Sequence, residues 1–205
     1  MPNSNSPFGL KPVRHMLGLP LNGAVVPMYV PASYATALFI GDPVLKTANG
    51  SNAGAVTAPG VGTFDIGTLP EINKSAATGR ITGVIVAFAA DPTNLGLVYR
   101  PASTERIAFV NVDPFTVYEI QSDGALGATS VGLNTDLVFT QSGSTVTGLS
   151  GVELNSALVA VTATLQVNIL RAVNRVDNDT TATRGKFEVR LATPTEVALG
   201  TGAGL

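Results

Sequence analysis

ERIAFVNVDPFTVYEIQSDG, residues 105–124, joins two runs of β-branched and aromatic residues through Asp113-Pro114 and closes on a second turn signal, Asp123-Gly124. The pattern predicts a strand, a turn, a second strand and another turn, and the simplest arrangement is a hairpin. Its apolar side chains are plentiful. Its reactive ones, Glu105, Arg106, Asp113 and Glu119, are scattered, with no His or Cys among them. Either the hairpin supports chemistry elsewhere in the chain, or its surface is itself the working part.

Working outward, GRITGVIVAFAAD (79–91) is apolar on both faces, with Ile81, Ile85, Ala87 and Ala89 on one side and Val84, Val86 and Phe88 on the other. A strand of that kind is covered on both sides. Later strands alternate with a period of two. Leu165, Val167 and Ile169 are expected to face in and Gln166 and Asn168 out. Phe187, Val189 and Leu191 face in and Lys186, Glu188 and Arg190 out. AVVPMYV (24–30), ALFI (37–40), DPVLKT (42–47), DLVFT (136–140) and GVELN (151–155) add further strands. Residues 48–63 read as a small-residue, glycine-rich surface loop, 174–185 as a polar loop, and SYATAL (33–38) as one short helical turn at most. About nine strands at short intervals predict an all-β fold, an antiparallel β-barrel or β-sandwich.

The ends read differently. Residues 1–23 form an extended, Pro-rich N-terminal arm, because Pro2, Pro7, Pro12 and Pro20 forbid regular helix and disfavour a central strand. The arm is nonetheless studded with Phe8, Leu10, Val13, Met16, Leu17, Leu19 and Leu21, more apolar anchors than a disordered tail carries. It is expected to lie on a surface, its own or a neighbour's. Residues 24–192 form the β domain, and 193–205 a loose C-terminal tail.

Composition narrows the function. The 205 residues suffice to bury a core of their own, without disulfide or metal. Zero Cys removes disulfide frameworks, thiol catalysis and thiolate zinc together. Charged residues are 13% of the chain, about half the usual share, and the net charge is −2. The 12 Lys and Arg are dispersed, so the chain predicts no nucleic-acid partner. Leu17–Gly41 is uncharged and long enough to span a bilayer, but three prolines make it extended chain, and no membrane partner is expected. Low charge points to a surface covered by other subunits.

Reactive constellations are wanting. His15 is the single histidine, sits in the arm and has no G-x-S-x-G elbow to serve, so it reads as an exposed or interface residue. Asp177-Asn178-Asp179 lacks the glycine and distal glutamate of a calcium loop. GVGTFDIG (60–67) lacks the Lys-Ser/Thr of a phosphate loop. With no Trp and four Tyr, a carbohydrate site is poorly furnished. The reading is a non-enzymatic protein without cofactor or metal.

Taken together, SPFGLKPVRH (6–15), SYATALFIGDPV (33–44), GRITGVIVAF (79–88), RPASTERIAFVNVDP (100–114), EIQSDG (119–124), TGLSGVELN (147–155) and LQVNILRAVNR (165–175) resemble the head decoration, or capsid cement, proteins of tailed bacteriophages. The shared elements are turns and strands, with no invariant chemical motif. The resemblance implies a structural virion protein, made in the host cytoplasm, that binds the outer capsid surface and bridges neighbouring subunits. Its partners would be the major capsid protein and other copies of itself, as a homo-oligomer with a trimer favoured. The arm would lie across the shell, with Phe8, Leu10 and Leu17 as apolar anchors, Lys11 and Arg14 meeting acidic groups, and His15 in the interface. On this reading, removing residues 1–20 leaves the β domain folded. The alternatives are another virion component of the tail, neck or fibre and, behind it, a carbohydrate-binding module.

Overall fold

A computed structural model describes residues 3–21, 25–192 and 194. Thirteen strands occur among them. In chain order they are β1 (Lys11–His15), β2 (Val25–Val30), β3 (Pro43–Ser51), β4 (Val56–Ala58), β5 (Gly62–Phe64), β6 (Pro70–Lys74) and β7 (Gly83–Phe88). They continue with β8 (Arg106–Asn111), β9 (Thr116–Gln121), β10 (Asn134–Val138), β11 (Glu153–Ala160), β12 (Val167–Ala172) and β13 (Lys186–Leu191). The one helical turn described is a 3-10 turn at Ala128–Ser130. SYATAL contributes none, and ALFI makes only isolated bridges, Leu38 to Arg100 and Ile40 to Leu149.

The all-β reading stands: part of the fold is a closed barrel and part an open sheet. Strands β2-β6-β3-β7-β8 close a barrel, and β1-β9-β13-β12-β10-β11 form an open sheet. The barrel pairs are antiparallel except β2 with β6, which meet in parallel at Tyr29 and Glu71. Met28, Val30, Val44, Ile72, Ile85, Ala108 and Val110 fill the barrel. Tyr118, Ile120, Leu154, Val167, Ile169, Phe187 and Val189 form the sheet's core, joined by Ile81 and Val84. Val84 and Ile85 therefore face different cores, which is why the 79–91 stretch is apolar on both sides.

The opening stretch is corrected most sharply. β8 pairs with β2 and β7, whereas β9 pairs with β1 and β13. The two strands do not pair with each other. The Asp113-Pro114 turn is a corner that carries the chain from barrel to sheet. Asp113 holds it, its Oδ1 accepting Phe115 N–H at 2.8 Å and its carbonyl accepting Thr116 N–H at 3.2 Å.

Other expectations also give way to non-local structure. Residues 48–63 are not a loop: β3 runs through Ser51, and β4–β5 form a hairpin whose Val56, Ala58 and Phe64 cover Tyr29, Ile107 and Phe109 on the barrel's outer face. Phe88 sits with Ile85 in the barrel because a register shift between Ile85 and Ala87 reverses the alternation. Gln166 faces in, fully buried. Its amide donates to Ala76 O at 3.0 Å and Gly79 O at 2.7 Å, and its Oε1 accepts Leu137 N–H at 3.0 Å. Glu188 is buried too, roofed by Arg14 and Arg171. The expected tail, 193–205, lies outside the described residues except for Pro194, which bridges Ile81.

The arm is not separate from the β domain. Residues 11–15 are β1, an edge strand of the sheet paired with β9. Pro12 is tolerated because an edge strand leaves one side unpaired, where the missing N–H is no loss.

Candidate binding surface of the N-terminal arm

The arm divides at β1. On its N-terminal side, Leu10 is fully buried in the sheet's core, and its N–H donates to Gly41 O at 2.9 Å. This crossing of the arm over the barrel is too close for side chains. A Cβ on Gly9 would lie 2.6 Å from Gly41 O, and one on Gly41 2.6 Å from Phe8 O; both residues have positive φ, +70° and +91°. Ser150 completes the junction: its hydroxyl donates to Asp42 Oδ1 at 2.5 Å, and the same oxygen takes Lys74 Nζ at 2.7 Å. Asp42 is fully buried, so barrel and sheet are joined at an ion pair whose partners cannot be removed without leaving an uncompensated buried charge.

Beside this crossing runs a groove of about 560 Å³. Phe8, Leu10, Ile40, Val86 and Leu149 line it, with Lys11, Glu119, Arg175 and Lys186 at the rim. Arg175 is paired with Glu119 at 2.9 Å and Asp177 at 3.0 Å, and Lys186 with Asp177 at 2.8 Å. Those bonds from Lys186 and Arg175 hold the Asp177 carboxyl down to about 2. Lys11 makes no ion pair among the described residues and is exposed.

Along β1 the side chains become committed. Arg14 meets Glu188 Oε2 at 2.8 Å, and Arg171 meets Oε1 at 2.6 Å. Burial pushes the Glu188 carboxyl up, but the hydrogen bonds from Arg171 and Arg14 outweigh it and leave the group below its ordinary range. His15 is buried, with Nε2 at 3.2 Å from Asp113 Oδ2 and Nδ1 accepting Leu17 N–H at 3.2 Å. That geometry suits the tautomer protonated on Nε2. Both ring nitrogens are thus taken up, and the ring itself tilts against Phe115 at 5.9 Å.

Beyond β1 the chain is exposed. Leu17 is 65% and Leu19 60% accessible, and Met16 and Leu21 are exposed as well. Phe115, at the tip of the corner turn, stands beside them, its carbonyl accepting Met16 N–H at 2.8 Å. Val25 and Val26, exposed at the start of β2, lie opposite Asn111 and Val110 near the same corner. An uncharged apolar strap thus spans 16–21 at one end of the molecule, held by β1 behind it.

Of the residues expected to bind, Phe8, Leu10 and Lys11 come together at the groove, and Leu17 stands at the far end of β1. Leu10, Arg14 and His15 are engaged within the chain, and Leu10 is inaccessible. Phe115 was missed, although an aromatic residue directly after the Asp113-Pro114 turn signal could have marked it; Ile40, Val86 and Leu149 converge only through folding and leave no local signal. Asp177, Asn178 and Asp179 are likewise committed, to Arg175 and Lys186, to Val173 and Lys186, and to Thr181. Compared with known proteins, the chain matches no family model, no curated protein and no solved structure, so its own residues carry the functional reading.

Proposed function

We propose that this chain is a structural virion protein of a tailed bacteriophage, bound to the outside of the capsid and stabilising it by bridging capsid subunits. The observation that carries the reading is the strap at 16–21. Its leucines point into solvent while the strand before it is paired into the edge of the sheet. Seating Leu17 and Leu19 against a partner contributes roughly 1–2 kcal/mol each. The resemblance supplies the partner, the major capsid protein, and the copy relationship, a homo-oligomer with a trimer favoured. Stabilisation follows by linkage: a ligand that binds only the assembled shell favours it, and many weak contacts on a lattice add by avidity.

The arm's place in the sheet changes the test. Removing residues 1–20 would strip Leu10 from the core and β1 from β9, so a loss of binding would report unfolding. The informative variant is Leu17→Asp with Leu19→Asp, which leaves core and pairing untouched. It is expected to keep the wild-type melting temperature and lose capsid binding in a co-sedimentation assay; undiminished binding sinks the strap's role. Copy number in purified particles decides the wider reading. A number near that of the shell protein supports decoration, a few copies move the chain to the neck or tail, and none removes it from the virion.

A further inference from the structure

The groove beside the arm crossing is built from two unlike sides. Barrel strand β7 supplies Val86, and the bridged connections supply Ile40 and Leu149; all three are half-buried, as is Phe8 of the arm. The sheet supplies charge instead: Glu119 from β9, Lys186 from β13 and Arg175 just past β12. At about 560 Å³ the groove has the size of a small-molecule site, about 300–1,000 Å³, and it lies at the joint of two structural units, where such sites are common.

The charges at its rim do not balance. Lys11, Arg175 and Lys186 stand against Glu119 and Asp177, three cations to two carboxylates. Both carboxylates are taken by Arg175 and Lys186. The positive charge left over is the Lys11 ammonium, which is exposed and has no ion pair among the described residues. Ser4 and Ser6 bring hydroxyls to the same groove. An occupant that matches both sides has an apolar body and one negative charge.

The backbone narrows the occupant further. An extended peptide docks along a wall through free N–H and C=O groups. Here those groups are spent. Ile40 gives its N–H to Gly148 O at 2.8 Å, and its carbonyl takes Ser150 N–H at 2.8 Å. Gly41 gives its N–H to Ile85 O at 2.8 Å, and its carbonyl takes Leu10 N–H. On the arm side, Pro12 has no N–H to offer. The walls offer side chains and a cation, which is all that an acyl chain with a carboxylate head requires.

We infer that this groove is a binding site for a free medium-chain fatty carboxylate, its head on Lys11 and its chain along Phe8, Ile40, Val86 and Leu149. The site is separate from the strap at 16–21 and stands whether or not the chain belongs to a virion. Isothermal titration of the full chain with decanoate, below its micelle concentration, is expected to show one saturable site with Kd below about 1 mM. Octanoate, two methylenes shorter, should bind about tenfold more weakly. Decyltrimethylammonium, with the same chain and the opposite charge, should not compete. Lys11→Glu should weaken decanoate binding tenfold or more while leaving the melting temperature unchanged. Amide shifts on binding should gather at Phe8, Ile40, Val86 and Leu149. Absence of saturable binding overturns the inference, as does a Lys11→Glu variant of undiminished affinity, or equal affinity for the anionic and cationic amphiphiles. Shifts gathered at residues 16–21 overturn it too. So does tighter binding of an acetylated apolar peptide ending in one glutamate, which would assign the groove to a protein segment.

Discussion

The barrel and the sheet both bury charge, and they do so by opposite means: the barrel buries arginines, the sheet buries carboxylates. In the barrel, Arg100 is fully buried with no acidic partner among the described residues. Its Nε donates to Thr104 O at 2.6 Å, Nη1 to Tyr34 O at 2.8 Å and Thr36 O at 2.7 Å, and Nη2 to Pro31 O at 2.7 Å. Arg106 does the same for Ala89, Tyr99 and Leu97, over the ring of Phe88 at 5.3 Å. In the sheet, arginines meet carboxylates: Arg14 and Arg171 on Glu188, Arg175 on Glu119, and Arg184 on Glu153 at 2.8 Å. The barrel's cations serve as backbone partners for the long connections at 31–42 and 89–105, which have few strand bonds of their own. Those in the sheet neutralise acids on its faces. Carbonyl cages do not titrate below neutrality, whereas carboxylate pairs do, so the two units should respond differently to acid.

Breaking the barrel's device has the largest expected effect. Arg100→Met removes four charge-assisted hydrogen bonds, each contributing about 1.5–3 kcal/mol, and leaves Thr36 O and Thr104 O without this donor while Pro31 O and Tyr34 O keep the N–H groups of Tyr34 and Ser103, so a loss of about 4 kcal/mol or more is expected in urea unfolding. Arg100→Lys should recover only part of it, because an ammonium cannot span the fork. A loss below about 1 kcal/mol for the methionine variant would show that the cage is incidental. Next is the joint between the units. Gly41→Ala combines a positive φ with a backbone clash against Phe8 O, and about 2–3 kcal/mol is expected, read as a lower melting temperature with faster amide exchange at Leu10.

Acid sharpens the contrast further. Glu188 titrates below its ordinary value of 4.5 in the folded chain, so its contribution is complete above that value and is lost as pH falls through the lower, folded one. Asp177, held at about 2 against an ordinary 3.8, has the same sign and extends the loss to lower pH. The melting temperature should therefore fall between about pH 5 and pH 2, and amide protection should fail first in β12 and β13. In Glu188→Gln the upper part of that slope should flatten. Simultaneous loss of protection in β2 and β8 would erase the distinction between the units. The smallest effect belongs to Arg171, whose side chain is 60% exposed. Arg171→Ala should cost below about 0.5 kcal/mol and nothing measurable in 1 M salt.

What was legible in the sequence follows the range of the forces involved. Alternation in β13 and the two-sided apolarity of β7 are local consequences of burial, and both were readable. The pairing of β8 and β9 was not, since a turn signal marks where a chain bends but not which strands it then meets. Pro12 argued only against a central strand, and β1 forms at the edge, where β9 offers one side and solvent the other. Gln166 looked outward by period, but two carbonyls at Ala76 and Gly79 needed a donor more than its amide needed water. At the candidate surface, Leu17 and Lys11 were found as exposed residues. Leu10 and His15 were misplaced because an arm that looks detachable in sequence is stitched into the core by two glycines.

That stitch also sets a schedule. β1 leaves the ribosome roughly a hundred residues ahead of β9, its first partner, and further still ahead of β13. At about 5–20 residues per second, the arm waits on the order of 5–20 s before any strand exists to receive it. The barrel strands, residues 25–111, are complete before that wait ends. β1, made ahead of every other described strand, is thus fixed only after the barrel strands, and the strap that follows it takes its outward pose only once β9 is in hand.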